Sequence, residues 1–386
     1  MTALHGSSWN SSTPDDRRVR ANRADVAFET VMADRFYSAR RKVFGWRNWW
    51  LGRTYEHLRP FANTWSALCT LASLPDRAGV RDVLPLLFDA LSTYHRAGPA
   101  ALTGQGPVGF HSSVVPSLRR AGGVCYGDNA WLGLALVRHQ ELCHDAVSLP
   151  LAERLFRFVV TGWSTDDTWA APGGIRWSID PAGTSRTTCT NGPAAALGAL
   201  VHRLTGDLAA LEHSISIYRW TRSALGRDDG LYADRIHPDG TVVADLWSHN
   251  QGAMIGAGLL LADATGDPGF LADARTTASA SLGRFGLDDL CRSGPAANAI
   301  FFRNLFLLPP GASPGTISAP DPDSLDADDG TPRAAGRALA RAYDDLLWEE
   351  EHDRRTIVLQ GRGSRLDRMG PRVQIDALLA GAEPHA

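Results

Sequence analysis

Three stretches decide how this chain reads: NAWLGLAL at 129–136, NGPAAALGAL at 191–200 and NQGAMIGAGL at 250–259. Each opens on an asparagine, continues as a nearly all-apolar segment, and reaches an aspartate (Asp145, Asp207 or Asp267) 16, 16 and 17 residues later. The asparagines lie 62 and 59 residues apart. Weaker copies extend the series, with NTWSALCTL from Asn63 upstream, and FFRNLFLL from Phe301 and RVQIDALL from Arg372 downstream. Repetition at a fixed period marks an architecture built from one supersecondary unit used again and again.

Between the six copies lie stretches with apolar residues at three-to-four spacing, the helical period, at roughly 25–42, 78–95, 148–163, 207–224, 268–284 and 333–348. A helix that is apolar all round is buried on every side, whereas one with a single apolar stripe keeps solvent on the other. Six buried helices alternating with six half-exposed ones predict an all-α (α/α)6 toroid, six helical hairpins in two concentric rings. A period near 60 is longer than the helical solenoid repeats, which run at about 34–47 residues. Thr205-Gly206-Asp207 and Thr265-Gly266-Asp267 place a glycine where one helix should stop and an aspartate where the next should be capped.

A rule of about 150 residues per domain would divide 386 residues into two or three. The repeat count predicts a single toroidal domain over 21–386 instead, with 1–20 disordered or draped on the surface and a long polar loop at 309–332. The acidic run in that loop lacks the carboxylate and glycine register of a calcium-binding hand. Apolar residues make up 44% of the chain and charged residues 21%, which supplies a large core and excludes the disordered and coiled-coil classes. The net charge of −3 offers no field for nucleic acid or anionic membrane. Five dispersed cysteines show no metal or redox spacing, and no run of about 18 apolar residues reads as a membrane span. A cytoplasmic protein with no metal and no cofactor is expected.

In this architecture the loops entering the buried helices meet on one rim. Here they read Cys125-Tyr126-Gly127-Asp128-Asn129, Thr188-Cys189-Thr190-Asn191 and Trp247-Ser248-His249-Asn250-Gln251, with Gly173-Gly174-Ile175-Arg176-Trp177 and Asp229-Gly230-Leu231-Tyr232-Ala233-Asp234 upstream of the second and third. Flat rings beside amides and carboxylates suit a sugar, whose apolar faces stack on rings and whose hydroxyls pair with polar groups. Asn129, Asn191 and Asn250 serve equally as helix N-caps, Trp131 as core, and Asp128 and Asp234 as cap and turn residues.

Together these motifs resemble glycoside hydrolase family 76, the endo-α-1,6-mannanase-like family, whose hallmarks include Tyr-Asp-Asp-Asn-Ala-Trp, Gly-Gly-Ile-x-Trp, Tyr-Asn-Gln-Gly and a late Phe-x-Arg. The chain carries them in order as Tyr126 to Trp131, Gly173 to Trp177, His249 to Gly252, and Phe301 to Arg303. The resemblance implies the six-hairpin toroid and an α-mannoside or other oligosaccharide ligand. With Asn191 and Trp247 read from the rim lead-ins, the candidate site is drawn from Tyr126, Asn129, Trp177, Asn191, Trp247, His249, Asn250, Gln251 and Arg303.

The family's adjacent aspartates act as nucleophile and general acid/base of a retaining glycosidase. Asp128 matches the acid/base, but the nucleophile position is Gly127. Retention needs two carboxyls about 5–5.5 Å apart. Three expectations follow. In the first, a cavity opened at Gly127 admits water, with Asp234, Asp166 or Asp167 as a surrogate base in an inverting reaction. In the second, the protein binds carbohydrate without catalysis. The third is epimerase-like chemistry on the same toroid, for which His249 and His111 would be the acid/base groups.

Overall fold

The computed structural model describes residues 14–33, 37–38, 43–48, 52–114, 122–309, 331–352 and 365–382. The chain opens with helix α1 (Pro14–Ala33) and an antiparallel sheet of β1 (Tyr37–Ser38), β2 (Val43–Asn48) and β3 (Gly52–Tyr55). Next come α2 (Leu58–Ala72), α3 (Ala78–Arg81), α4 (Leu84–Ser92), α5 (Ala100–Thr103), α6 (Tyr126–Cys143) and α7 (Ser148–Val160). Then follow β4 (Arg186–Thr187), α8 (Thr188–Thr205), α9 (Leu208–Leu225), β5 (Arg235–Ile236), β6 (Val242–Val243), α10 (Ser248–Thr265) and α11 (Pro268–Arg284). The chain finishes with α12 (Leu287–Ser293), α13 (Pro295–Phe306), α14 (Pro332–His352) and α15 (Arg365–Leu379).

Helices α2, α6, α8, α10, α13 and α15 contain the six apolar copies, and each packs against the next, with α15 closing back onto α2. Outside them α7 fits against α6 and α8, α9 against α8 and α10, α11 against α10, α14 against α13 and α15, and α1 against α15. This is the (α/α)6 toroid. Burial follows the all-round apolar pattern: in α10 Asn250 through Leu261 are buried without interruption, whereas α7 buries only one stripe.

The turn chemistry explains where the hairpins bend. Helices α8 and α10 stop at Gly206 and Gly266, both left-handed with φ of 76° and 70°, and α6 stops the same way at His144 with φ of 51°. Asp207 then accepts hydrogen bonds from the Ala209 and Ala210 amides, Asp267 from Gly269, and Asp145 from Val147 and Ser148. The even asparagine-to-aspartate spacing is therefore the length of one inner helix plus its turn.

Three expected boundaries are corrected. Helix α1 runs from Pro14 to Ala33 rather than over 25–42, so residues 14–20 are helical, and Arg20 is buried, pairing with Asp344 and Asp345 of α14. The segment after α1 is the sheet β1–β3, whose aromatic and branched residues suit extended chain better than helix. The span 78–95 is two helices, because Pro85 has no N–H to donate and disfavours helical geometry in the residue before it. The start of the chain, residues 1–13, and nearly all of the polar 309–332 loop lie outside the described residues.

Candidate functional site

The N-termini of neighbouring inner helices meet, as Thr190 of α8 against Gly127 of α6 and Ser248 of α10 hydrogen-bonded to Asn298 of α13 show. The rim is built by one device used three times. Asn129 accepts a hydrogen bond from the Phe110 amide (2.7 Å) and donates to the carbonyls of Phe110 (3.0 Å) and Cys125 (2.8 Å). Asn191 does the same to Ile175 (2.7 and 3.0 Å) and Thr187 (2.9 Å), and Gln251 to Tyr232 (2.8 and 2.9 Å) and Trp247 (3.3 Å). Each amide grips one loop peptide from both sides and ties it to the carbonyl four residues back in its own helix. All three side chains are fully buried. They do not act as N-caps: their polar atoms hold backbone, and their side chains lie beneath the surface of the rim.

What the clasps position lies two residues further on. In extended chain, residues i and i+2 point to the same side, and the positions two beyond Phe110, Ile175 and Tyr232 are Ser112, Trp177 and Asp234. The Ser112 hydroxyl donates to Asp128 (2.8 Å). Trp177 stands 49% exposed, its backbone carbonyl receiving the Tyr126 amide, so its ring is free to stack. Gly173 and Gly174 precede it at φ of 101° and 76°, and a Cβ on Gly174 would fall 2.5 Å from the Trp220 ring. Only glycine allows both the conformation and the contact. Arg186, fully buried between Trp169 and Trp220, reinforces this corner by donating to the carbonyls of Gly173 and Ala170 (3.0 and 2.8 Å).

Asp128 occupies the first turn of α6. Burial pushes its carboxyl up, against the opposing pull of the Arg59 guanidinium, the Ser112 hydrogen bond and His57. No carboxylate is among the groups that shift it. A carboxyl with a higher pKa folded than unfolded binds its proton more readily in the native state, so stability falls as pH rises from the ordinary value of 3.8 through the folded one. The uncharged Asp128→Asn variant is expected to melt above wild type at neutral pH, with the gain shrinking toward about pH 4; thermal melts across that range read it out. A constant difference would contradict the burial account.

The remaining expected residues separate into rim and core. His249 is half-buried beside Trp247, with ring centroids 6.4 Å apart. Burial, aided by the Arg59 charge, holds its pKa well below the usual value, and its buried Nδ1 makes no hydrogen bond. Asn250 is buried, reaching Asp234 at 3.4 Å, with its Oδ1 unpartnered. Asp234 is 5% exposed and ion-paired with Arg235 at 2.7 Å. Tyr126 is packed in the core, stacked on Phe158 with centroids 5.0 Å apart, rather than lining the rim. Arg303 lies in the last turn of α13, far below the N-terminal rim. Asp166 and Asp167 sit on an exposed turn, with Asp166 held by Thr168, and the His111 ring pairs with the Gly122 carbonyl (2.8 Å).

The expected cavity at Gly127 is also corrected. Gly127 is buried, and a Cβ there would come 2.8 Å from Thr190 Oγ1, a hydroxyl that receives a hydrogen bond from Thr187 (2.9 Å). The place where a side chain would leave the backbone is filled. Thr190, Ser112 and Arg59 were not singled out from sequence. Arg59 was overlooked because α2 begins at Leu58, whereas the repeat register centred that copy on Asn63.

Residues 114–299, which run from the approach to α6 into α13, match the model of glycosyl hydrolase family 76. Over this segment the chain is similar to family 76. No curated protein matches the chain. Among solved structures, the GH76A α-1,6-mannanase from Salegentibacter sp. HEL1_6 aligns over 95% of this chain and 100% of its own, at 20% identity and a TM-score of 0.69. A family 76 mannosidase from Bacteroides thetaiotaomicron VPI-5482 covers 94% and 98%, at 18% identity and a TM-score of 0.70. Dfg5 from Chaetomium thermophilum, solved with glucosamine, covers 98% and 94%, at 14% identity and a TM-score of 0.63. An inactive variant of the Salegentibacter mannanase, changed at two adjacent aspartates, was solved with α-1,6-mannotriose. The likeness of fold thus extends through α1 and α15, well beyond the matched segment.

Proposed function

We propose that the rim recognises an α-mannoside of the α-1,6-mannan type, and that the chain is impaired as a retaining hydrolase. One observation carries the second part: among the described residues no carboxyl acts on Asp128, and the neighbouring position is a glycine packed against Thr190. A retaining reaction needs one carboxyl to form the glycosyl-enzyme and another to protonate the leaving oxygen. Asp234, the expected surrogate base, is tied to Arg235. Binding requires neither, since stacking and hydrogen bonding survive loss of the nucleophile. The mannanase and mannosidase names of the structural neighbours, and the mannotriose bound to one of them, support the choice of ligand.

Calorimetric titration with α-1,6-mannotriose, beside an assay of reducing-sugar release, tests this reading. Binding with release near background is expected, and turnover at a rate typical of glycosidases would refute the impairment. Trp177→Ala should weaken mannotriose binding by about tenfold, as lost ring stacking is worth about 0.5–1.5 kcal/mol beyond the area buried. Its melting temperature should barely move, because the ring is half exposed.

We also propose a single toroidal domain in the cytoplasm. The closed ring of inner helices supports the first. No disulfide joins cysteines among the described residues, which suits a reducing compartment, and none of the described helices is long and apolar enough to cross a membrane.

A further inference from the structure

We propose that the axis of the toroid, beneath the rim, is a binding site for a single chloride-class anion held by Arg138 and Arg303. Arg138 comes from the second half of α6 and Arg303 from the last turn of α13, and both line one small cavity with Trp131, Pro193, Leu200 and Asn304. The two arginines are only 5% and 4% exposed. Neither makes a hydrogen bond or ion pair with any described residue, and Arg138 Nη1, Arg303 Nε and the Trp131 indole Nε1 are buried donors without acceptors. Buried charges in proteins are almost always paired, because an isolated ion in a low-dielectric interior is strongly disfavoured.

The surroundings aggravate this imbalance. The Arg138 charge acts on Arg303, and burial with that repulsion drives the Arg303 pKa well down, while burial lowers Arg138 to about 10. The one carboxylate felt by Arg138 is Glu141, which is already paired with Arg203, and none acts on Arg303. The cavity is lined by two guanidiniums and no carboxylate, which disfavours a cation. Its small volume favours a monatomic halide over a sulfate or a carboxylate ligand. Water would satisfy the donors but leave two like charges facing each other, whereas an anion would satisfy both.

Two measurements on the intact protein decide the matter. Thermal melts in sodium chloride and in sodium gluconate at equal ionic strength should differ, with the melting temperature higher by about 3 °C or more in 100 mM chloride, the shift expected when a ligand at about 100 times its Kd binds only the folded state. Crystals soaked in bromide should show one anomalous peak between the Arg138 and Arg303 guanidiniums. Arg303→Met and Arg138→Met should lose both signals; if they do not fold, the wild-type bromide data decide alone. Equal melting temperatures in the two salts, a halide effect without a peak on the axis, or a peak without a halide effect, which would mean occupancy at crystal concentration only, each overturns the proposal.

Discussion

Gly127→Asp alone should leave reducing-sugar release from α-1,6-mannotriose close to the wild-type background, whereas Gly127→Asp combined with Thr190→Ala should raise it by at least about a hundredfold. The difference arises from one contact. A Cβ at position 127 would meet Thr190 Oγ1 at 2.8 Å, closer than side-chain carbons approach such atoms, and Thr190 is fully buried and anchored by Thr187. The new carboxylate would have to displace a threonine hydroxyl from its hydrogen bond or leave its own rotamer, and either distorts the placement on which nucleophilic attack depends. Replacing Thr190 by alanine removes the obstructing atom. Successive residues in a helix diverge by about 100°, so carboxyls at 127 and 128 would leave the first turn of α6 in different directions, as attack and protonation on a sugar require. The N-terminal end of α6 favours an ionised carboxylate, while burial keeps Asp128 inclined to hold its proton. Product configuration followed by NMR should show retention. Full activity of the single variant would show that Thr190 yields easily, and an inactive double variant would place further defects elsewhere on the rim. Thr190→Ala alone, still lacking a nucleophile, should stay at background.

Asn191→Ala should destabilise the protein by about 3–5 kcal/mol, measured by urea unfolding. The loss combines a small cavity with two backbone groups of Ile175 left buried and unpartnered, each costing about 1–3 kcal/mol. The side chain is fully buried and makes three hydrogen bonds of 2.7–3.0 Å. Asn250→Ala is the informative contrast. Asn250 is just as buried, yet it makes one long contact of 3.4 Å and already leaves an oxygen unpartnered. Its loss should cost only about 1–2 kcal/mol. Equal losses would mean that burial alone, not the clasp, determines the effect. Because Ile175 lies two residues before Trp177, partial retention of fold in Asn191→Ala should coincide with weaker mannotriose binding.

Where the inner helices stop was legible in the sequence, because left-handed glycine and capping aspartate are local chemistry that recurs at Gly206-Asp207 and Gly266-Asp267. The importance of the lead-in amides was legible too, but their role was not. Asn129 and Asn191 read as N-caps or sugar contacts; in the fold they lie one turn inside their helices, gripping peptides 19 and 16 residues upstream. The third clasp is Gln251, one place beyond the asparagine that the repeat alignment chose. Its longer side chain reaches Tyr232 from a position where asparagine would fall short.

Sequence by itself determined the toroid. Whether a helix is apolar all round or on one stripe is fixed by which residues it contains, and six alternations of those two kinds have one economical closed packing. It also located the rim, Asp128 and the glycine beside it. Tertiary structure alone decided what surrounds those residues. That Thr190 fills the space at Gly127, that Arg59 arrives beside Asp128 from a helix nearly seventy residues earlier, and that Arg138 and Arg303 line one cavity all depend on distant segments coming together. Such contacts depend on how six helices are rotated about their own axes, and that rotation is settled by the packing of the whole ring rather than by any local run of residues.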